Sequence, residues 1–410
     1  MSRKSFILFG VFKISTQLIV LLTNIFIIRF LSVSSFGSYS LAFVLVGFAT
    51  TFGFSWSSSS ILFFGSKEKA ETGSINKSFW ARNIILFGSF LIITLTFLVS
   101  RHWIDSYVDN KVSWLIYFWV LARVIEDYFF HYFLAIKKQL LGSAMMFLSK
   151  IFLLVMVLLI PLSVEKIIYL NVLSSGLSIL YIFGINKKDI GSFEFDRGTF
   201  KAILNFSLWQ LFGFSGLYII NFGDNIVIKH FMTTSDVAIY NAGYKLFEGV
   251  ANIAFTIVAF FSPHISSAFK SNDRQYLNKF FYKERYIIFS FVVAIHVIII
   301  FLAKPLILQT YGSKYTSAIL PLQILMIGSI LRYYSSFYVI FSNIKAYHKS
   351  LQVVNVFRSI MNIMLDILLV FLFGILGAAI ATSVSILIST IIMHLLYEKK
   401  MKYIMIQGGL

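Results

Sequence analysis

IIFSFVVAIHVIIIFLA, residues Ile287–Ala303, contains no residue with a fixed charge, and Ile84–Val99 and Ile151–Leu162 are runs of the same kind. A helix on the surface of a soluble protein alternates apolar and polar faces, whereas these runs are apolar all round. That pattern suits a helix surrounded by lipid, where the segment must satisfy its own backbone hydrogen bonds. The whole chain agrees with the local reading. Its 410 residues are 58% hydrophobic, 18% aromatic and only 13% charged, against about 25% charged in an ordinary soluble domain. Mean hydropathy is +0.84. The fold class that follows is an all-α polytopic membrane protein.

A bilayer core takes about 20 residues of helix. With charged and glycine-rich breaks as punctuation, the chain divides into twelve expected spans: 6–28, 37–63, 79–100, 113–136, 144–162, 166–185, 201–228, 237–262, 286–303, 317–341, 351–373 and 375–396. The connections between them leave no room for an extramembrane domain. Placing both termini in the cytoplasm puts 21 Lys and Arg residues in inside segments and 7 in outside ones, the asymmetry that orients membrane helices. The N-terminal apolar segment contains Lys13 and no small-residue cleavage site, so it reads as a retained span rather than a signal peptide.

The same ledger accounts for the net charge of +18: the loops carry +16 of it and the span interiors only +2. The basicity is therefore topological, and a nucleic-acid partner is not expected. With no cysteine, disulfides and thiolate chemistry are excluded. No phosphate-binding G-x-x-x-x-G-K-[ST] loop and no H-E-x-x-H helix is present, and no enzymatic activity, cofactor or metal site is expected. The serine run Ser55–Ser60 lacks a base at any recognisable spacing, so it reads as a hydrated or softened helix segment. His296, alone in its span, reads as a packed histidine.

Two segments about 200 residues apart resemble each other. Asn24–Phe43 reads NIFIIRFLSVSSFGSYSLAF, and Asp224–Tyr244 reads DNIVIKHFMTTSDVAIYNAGY. Aligning Arg29 with Lys229 places Asn24 on Asp224, and after one inserted residue Tyr39 meets Tyr240. Each copy is the end of an odd span, a polar turn and the start of the next span. Six spans separate the copies, so the halves have the same orientation, as in transporters built from parallel repeats. Two six-helix bundles, 1–195 and 196–410, around a central cavity are the expected architecture.

The motif R-F-L-S-x-x-x-F-G-x-Y-x-L-A (Arg29–Ala42), followed by Phe52-Gly53-Phe54, resembles the N-terminal signature of bacterial polysaccharide or O-antigen repeat-unit flippases (Wzx-like). D-N-I-V-I-K-x(9)-A-I-Y-N-A-G-Y-K-L (Asp224–Leu246) is similar to their seventh and eighth spans. That family belongs to the multidrug/oligosaccharidyl-lipid/polysaccharide exporter superfamily. The resemblance implies a transporter that moves an undecaprenyl-pyrophosphate-linked O-antigen or capsule repeat unit across the bacterial inner membrane. It also implies dealings with membrane lipids and the polysaccharide polymerase machinery. A multidrug-type cation antiporter of the same superfamily is the alternative within the class. An O-antigen polymerase is the alternative outside it, although such enzymes carry a large external loop and the outside loops here are short.

Charges within hydrocarbon are costly unless they face protein or water, and each is a candidate functional residue. On the first span Lys13, Gln17 and Asn24 share a face. The fourth carries Arg123, Glu126, Asp127 and His131 in one stripe; the eighth carries Asn241, Lys245, Glu248 and Asn252. Ser329, Arg332 and Ser336 line the tenth, and Asn355, Arg358, Asn362 and Asp366 the eleventh. By depth, Lys13, Lys150, Arg332 and Arg358 lie nearer the cytoplasm, Arg123 and Lys245 near the middle, and Asp224 and Asp366 toward the outside. A pyrophosphate would be bound by the cations Lys13, Arg123, Lys150, Lys245, Arg332 and Arg358, guanidinium forks suiting phosphate oxygens. Ion coupling, to H⁺ or Na⁺, would fall to Asp224, Glu126, Asp127 and Asp366. Against these stand plainer readings: Lys245 with Glu248 and Arg123 with Asp127 neutralise each other, Asp224 caps its turn or pairs with Lys229, and Arg82 snorkels to the interface.

Overall fold

The computed structural model describes residues 3–184, 193–271, 273–344 and 348–407. Among the described residues the regular structure is entirely helical, and its long helices are α1 (Arg3–Phe30), α2 (Val33–Gly53), α3 (Asn76–Val108), α4 (Ser113–Ala135), α5 (Gln139–Leu159), α6 (Val164–Gly176), α7 (Arg197–Phe231), α8 (Thr234–Ser271), α9 (Arg274–Thr310), α10 (Ile319–Ile344), α11 (His348–Phe373) and α12 (Ile375–Gln407). Among the described residues nine helices are long and apolar enough to cross a membrane. α4, α6 and α8 fall outside that set. α4 contains Arg123, Glu126 and Asp127, α8 contains Asp236, Lys245 and Glu248 in its first half, and α6 gives way to a 3₁₀ segment, Leu177–Gly184. Outward faces suit lipid: Val99 and Phe301 are 87% and 80% exposed, a placement that water would penalise.

The helix starts are set by polar caps. Ser32 accepts from the Ser35 amide at 3.1 Å to open α2, and Asp105 accepts from the Ser113 amide at 2.8 Å to open α4. Glu68 reaches across to the Lys77 and Ser78 amides at the start of α3, at 2.9 and 2.8 Å. Such bonds satisfy donors that the helix itself cannot. Asp196 does the same for α7 through the Thr199 amide at 2.7 Å, and these bonds hold its carboxyl below the ordinary aspartate range. Gly374, at φ +59°, supplies the left-handed turn that separates α11 from α12, where the sequence places it.

The serine run breaks the second span rather than merely softening it. α2 ends at Gly53, and a 3₁₀ turn (Ser55–Ser57), a π turn (Ile61–Gly65) and a short helix (Ser66–Thr72) follow. A second π turn, Phe280–Glu284, interrupts α9 just before Arg285.

The chain forms two compact units, Met1–Tyr218 and Ile219–Leu410. The division falls inside α7 rather than ahead of it at 195/196, because the first half of α7 packs onto the N-terminal unit. Ile203 is buried with Ala81 and Ile85 of α3, and the Phe206 ring stacks on Phe63 at 5.6 Å. Within the N-terminal unit α1 packs on α5, and α4 lies against α2, α5 and α6. Within the C-terminal unit α10 is central, packed by α8, α9 and α12, with α11 against α12. Phe269, Phe280, Tyr333, Phe337 and Tyr397 belong to that unit's buried aromatic core.

Candidate functional site

The stripe on α4 serves two separate sites, because Glu126 and Asp127 are adjacent in sequence and so about 100° apart around the helix. Glu126, 2% exposed, turns toward α5 and α6. It accepts from Lys150 Nζ at 2.8 Å, Ser149 Oγ at 3.1 Å and Ser175 Oγ at 3.0 Å. Arg123 Nη1 is 3.9 Å from it, so Arg123 pairs with Glu126 and not with Asp127. Lys150 is therefore engaged by a carboxylate in a hydrogen-bonded ion pair.

Asp127 faces the broken stretch after α2. Its Oδ2 accepts from Ser58 Oγ, and His131 Nδ1 lies 3.2 Å from Oδ1. Arg82 completes the group by donating from Nη2 to Ser58 Oγ at 3.1 Å, with its guanidinium 4.9 Å from the centre of the Tyr128 ring. Arg82 is 1% exposed, so it does not snorkel: α4 and the serine run enclose its head group. The serine run thus meets an acid and a histidine through the fold. Ser58 donates to the carboxylate itself, and His131 contacts the other oxygen of that carboxylate. Lys13 is exposed, with its ammonium 5.8 Å from the Phe9 ring centre, and joins none of these groups.

In the C-terminal unit Arg332 and Arg358 come near each other, while Lys245 pairs with Glu248. Lys245 Nζ is 2.8 Å from Glu248 Oε2. Arg332 on α10 and Arg358 on α11 are within electrostatic reach of each other and of Tyr244, and Arg332 also feels Glu248. Arg358 Nε is buried without a hydrogen-bond partner. Lys245 and Arg332 thus share Glu248, and Arg358 lies within reach of Arg332 and of Asp224.

Beside them lies an acid pair. Asp224 and Asp366, 4% and 0% exposed, face each other from α7 and α11. Asp224 Oδ2 accepts from Tyr240 and, at 2.8 Å, from Thr382 Oγ1. Asn362 Nδ2 stands 3.4 Å from that same threonine oxygen. Asp224 Oδ1 and both oxygens of Asp366 are buried with no donor aimed at them, a state that calls for a partner. Lys229 bonds Thr234 Oγ1 at 2.7 Å, so Asp224 takes the tyrosine and the threonine rather than Lys229.

A further pair of residues went unread in the sequence. Arg285, counted there as a loop cation, is 1% exposed, 3.5 Å from Glu398 Oε1 and bonded to Tyr334 Oη at 2.8 Å. Its guanidinium lies 4.4 Å from the centre of the Tyr334 ring, as that of Arg82 lies over Tyr128. Both arginines leave Nε and Nη1 buried without partners. Arg82 and Arg285 fall on the third helix of each half, Tyr128 and Tyr334 on the fourth. The signal was present as matching residue types about 203 to 206 positions apart. The Tyr128–Tyr334 offset places Glu126 on Arg332, and two residues more place Lys150 on Arg358. An ion pair in one half stands where two guanidiniums stand in the other.

Comparison with known proteins fits this geometry. Residues 26–320 match the family described as polysaccharide biosynthesis protein, and the chain belongs to that family. It is 23% identical over 240 residues to the probable low-salt glycan biosynthesis flippase Agl15 of Haloferax volcanii, covering 56% of this chain and 48% of that protein. It is 24% identical to an uncharacterized membrane protein of Methanocaldococcus jannaschii, covering 50% and 41%. The chain thus spans about half the length of the curated relatives it matches. The fold is shared with the lipid II flippase MurJ in an inward closed conformation, with TM-score 0.73, 19% identity and 96% and 87% of the two chains covered. It is equally shared with an inward-facing multidrug resistance MATE family transporter, with TM-score 0.73, 16% identity and 96% of each chain covered.

Proposed function

We propose that the protein carries an undecaprenyl-pyrophosphate-linked oligosaccharide, an O-antigen or capsule repeat unit, from the cytoplasmic to the periplasmic leaflet of the bacterial inner membrane. It does so by alternating access driven by a coupled cation, with both termini in the cytoplasm. The observation that carries this reading is the cation cluster of the C-terminal unit. Two guanidiniums within reach of each other, with the Lys245–Glu248 pair beside Arg332, suit a cargo that brings its own negative charge, and Arg332 and Arg358 present donors suited to diphosphate oxygens. A cationic drug would meet repulsion there, which weighs against the antiporter alternative. Of the six proposed substrate cations, Lys245, Arg332 and Arg358 contact the diphosphate. Arg123 and Lys150 hold Glu126, and Lys13 stands apart.

The coupling ion is assigned to Asp224 and Asp366, with Thr382 and Asn362 supplying further oxygens. Their unpartnered carboxylate oxygens are what a proton or an alkali cation would bind. Glu126 and Asp127 already have donors and serve packing. Family membership and the flippase named among the relatives support the lipid-linked cargo.

The test is export of the lipid-linked repeat unit in a strain lacking the gene, complemented with wild type, Arg332→Gln or Arg358→Gln. Wild type should restore surface polysaccharide, while each variant, at normal membrane levels, should lower it at least tenfold with lipid-linked units accumulating inside. Full export by both variants would remove the diphosphate assignment. Surface chains one unit long in the deletion strain would make the protein a polymerase.

A further inference from the structure

The acid pair and the cation cluster are joined by one helix and by one stack of tyrosines. Arg358, Asn362 and Asp366 occupy positions i, i+4 and i+8 of α11, which puts the guanidinium-bearing residue about 12 Å along the axis from the carboxylate-bearing one. On α8, Tyr240 bonds Asp224, and its ring stacks on Tyr244 at 5.9 Å. Tyr244 in turn lies within electrostatic reach of Asp224, Glu248, Arg332 and Arg358. The groups facing the acid pair are therefore Tyr240 and Tyr244 from α8, Arg358 and Asn362 from α11 and Thr382 from α12. Arg332 of α10 and the Lys245–Glu248 pair stand behind Tyr244.

We propose that a cation held by Asp224 and Asp366 and an anion held by Arg332 and Arg358 bind with positive cooperativity, so that the lipid diphosphate and its coupling cation load together. This rests on the functional reading above and gives it a sign. While the acid pair is empty, its negative charge acts on Arg358 in competition with the anion. A cation or proton at the pair cancels that charge and removes its competition with the diphosphate at Arg358. For one unit of charge at about 12 Å and an effective dielectric of about 20, the change in anion affinity is about tenfold. Linkage is reciprocal, so the anion tightens cation binding by the same factor. An exchanger in which one ligand displaces the other would show the opposite sign.

The experiment uses the full chain in phosphatidylcholine nanodiscs, with undecaprenyl diphosphate as the probe. Its Kd is measured at constant ionic strength in three arms: N-methylglucamine chloride at pH 8, sodium chloride at pH 8, and N-methylglucamine chloride at pH 6. Relative to the first arm, Kd should fall about tenfold in the sodium arm if the coupling ion is sodium, and in the acidic arm if it is a proton. Asp366→Asn should bind with the lower Kd in every arm, because the amide mimics the loaded pair. Should that variant not fold, calorimetry of the wild type in buffers of different ionisation enthalpy, together with a sodium electrode, reads cation uptake on diphosphate addition. A Kd equal in all arms, a Kd raised by the cation, or no cation uptake overturns the cooperativity. Failure of the folded wild type to bind the probe in any arm overturns the cargo assignment itself.

Discussion

At the scale of single residues, one ionic group can be structural and its neighbour functional, and burial with hydrogen bonding separates them. Glu126 is buried with four polar neighbours, and the reading proposed above gives it a packing role. Removing its partner should strand a charge, an error that costs about 3–5 kcal/mol in a protein interior. Lys150→Met should therefore lower the stability of the solubilised protein by about 3 kcal/mol, the low end because Arg123 Nη1 remains 3.9 Å away. The double variant Lys150→Met, Glu126→Gln should regain most of the loss, since no unpaired charge is left. Thermal unfolding followed by size-exclusion chromatography reads both, and a double variant no better than the single one would contradict the pairing. Sequence alone supplied the identity of these residues and their helix faces. It could not supply the partners: helical spacing puts Asp127 near Arg123, but Asp127 instead meets Ser58 of the run after α2, itself held by Arg82 of α3, and His131 of its own helix. Arg285 was missed for a related reason, because a basic residue near an expected span boundary looks like a topological charge until the neighbouring helix covers it.

At the scale of elements, apolar runs and charge breaks located the helices well, since hydrocarbon demands uninterrupted helix and loops gather Lys and Arg. What they could not show was where a helix changes its winding. The π turn at Ile61–Gly65 leaves the apolar pattern intact, and the one at Phe280–Glu284 falls in a charged stretch read as a connection; both become visible only in the backbone. The hairpin from α11 to α12 was legible through its glycines, and the two glycines have different reasons. Gly374 is at φ +59°, a conformation any other residue adopts at a cost of about 1 kcal/mol. Gly377 lies so close to α11 that a Cβ there would collide with the Leu369 carbonyl oxygen, so even alanine must push the helices apart. Gly374→Ala should lower stability by about 1 kcal/mol and leave export near normal. Gly377→Ala should lower stability by at least twice as much and reduce export as well, because α11 carries Arg358 and Asp366. Equal effects of the two substitutions on melting and export would show that the turn, not the close approach, sets the hairpin.

At the scale of the whole chain, the internal repeat lets the two halves be compared position by position, and on the proposed reading they divide the labour. The Arg–Tyr stacks at Arg82–Tyr128 and Arg285–Tyr334 are kept in both halves, while the charges one helical turn or less from those tyrosines are changed. Position 126 is Glu where position 332 is Arg, so the fourth and fifth helices share an ion pair in one half and the tenth and eleventh share like charges in the other. Like charges in a partly buried place oppose folding, and on the proposed reading a cargo anion offsets that cost. Exchanging the charge types tests the division directly. Arg332→Glu should give α10 and α11 the ion pair that α4 and α5 have, so the protein should melt at the wild-type temperature or above while export falls at least tenfold. Glu126→Arg should set two cations against Lys150 where the proposed reading places no cargo anion, so it should lower the melting temperature and membrane level together. If Arg332→Glu exported normally, the cluster would not hold the cargo. If it instead lost stability as Glu126→Arg does, Arg332 would be a structural residue, and the two halves would not differ in the way their charges suggest.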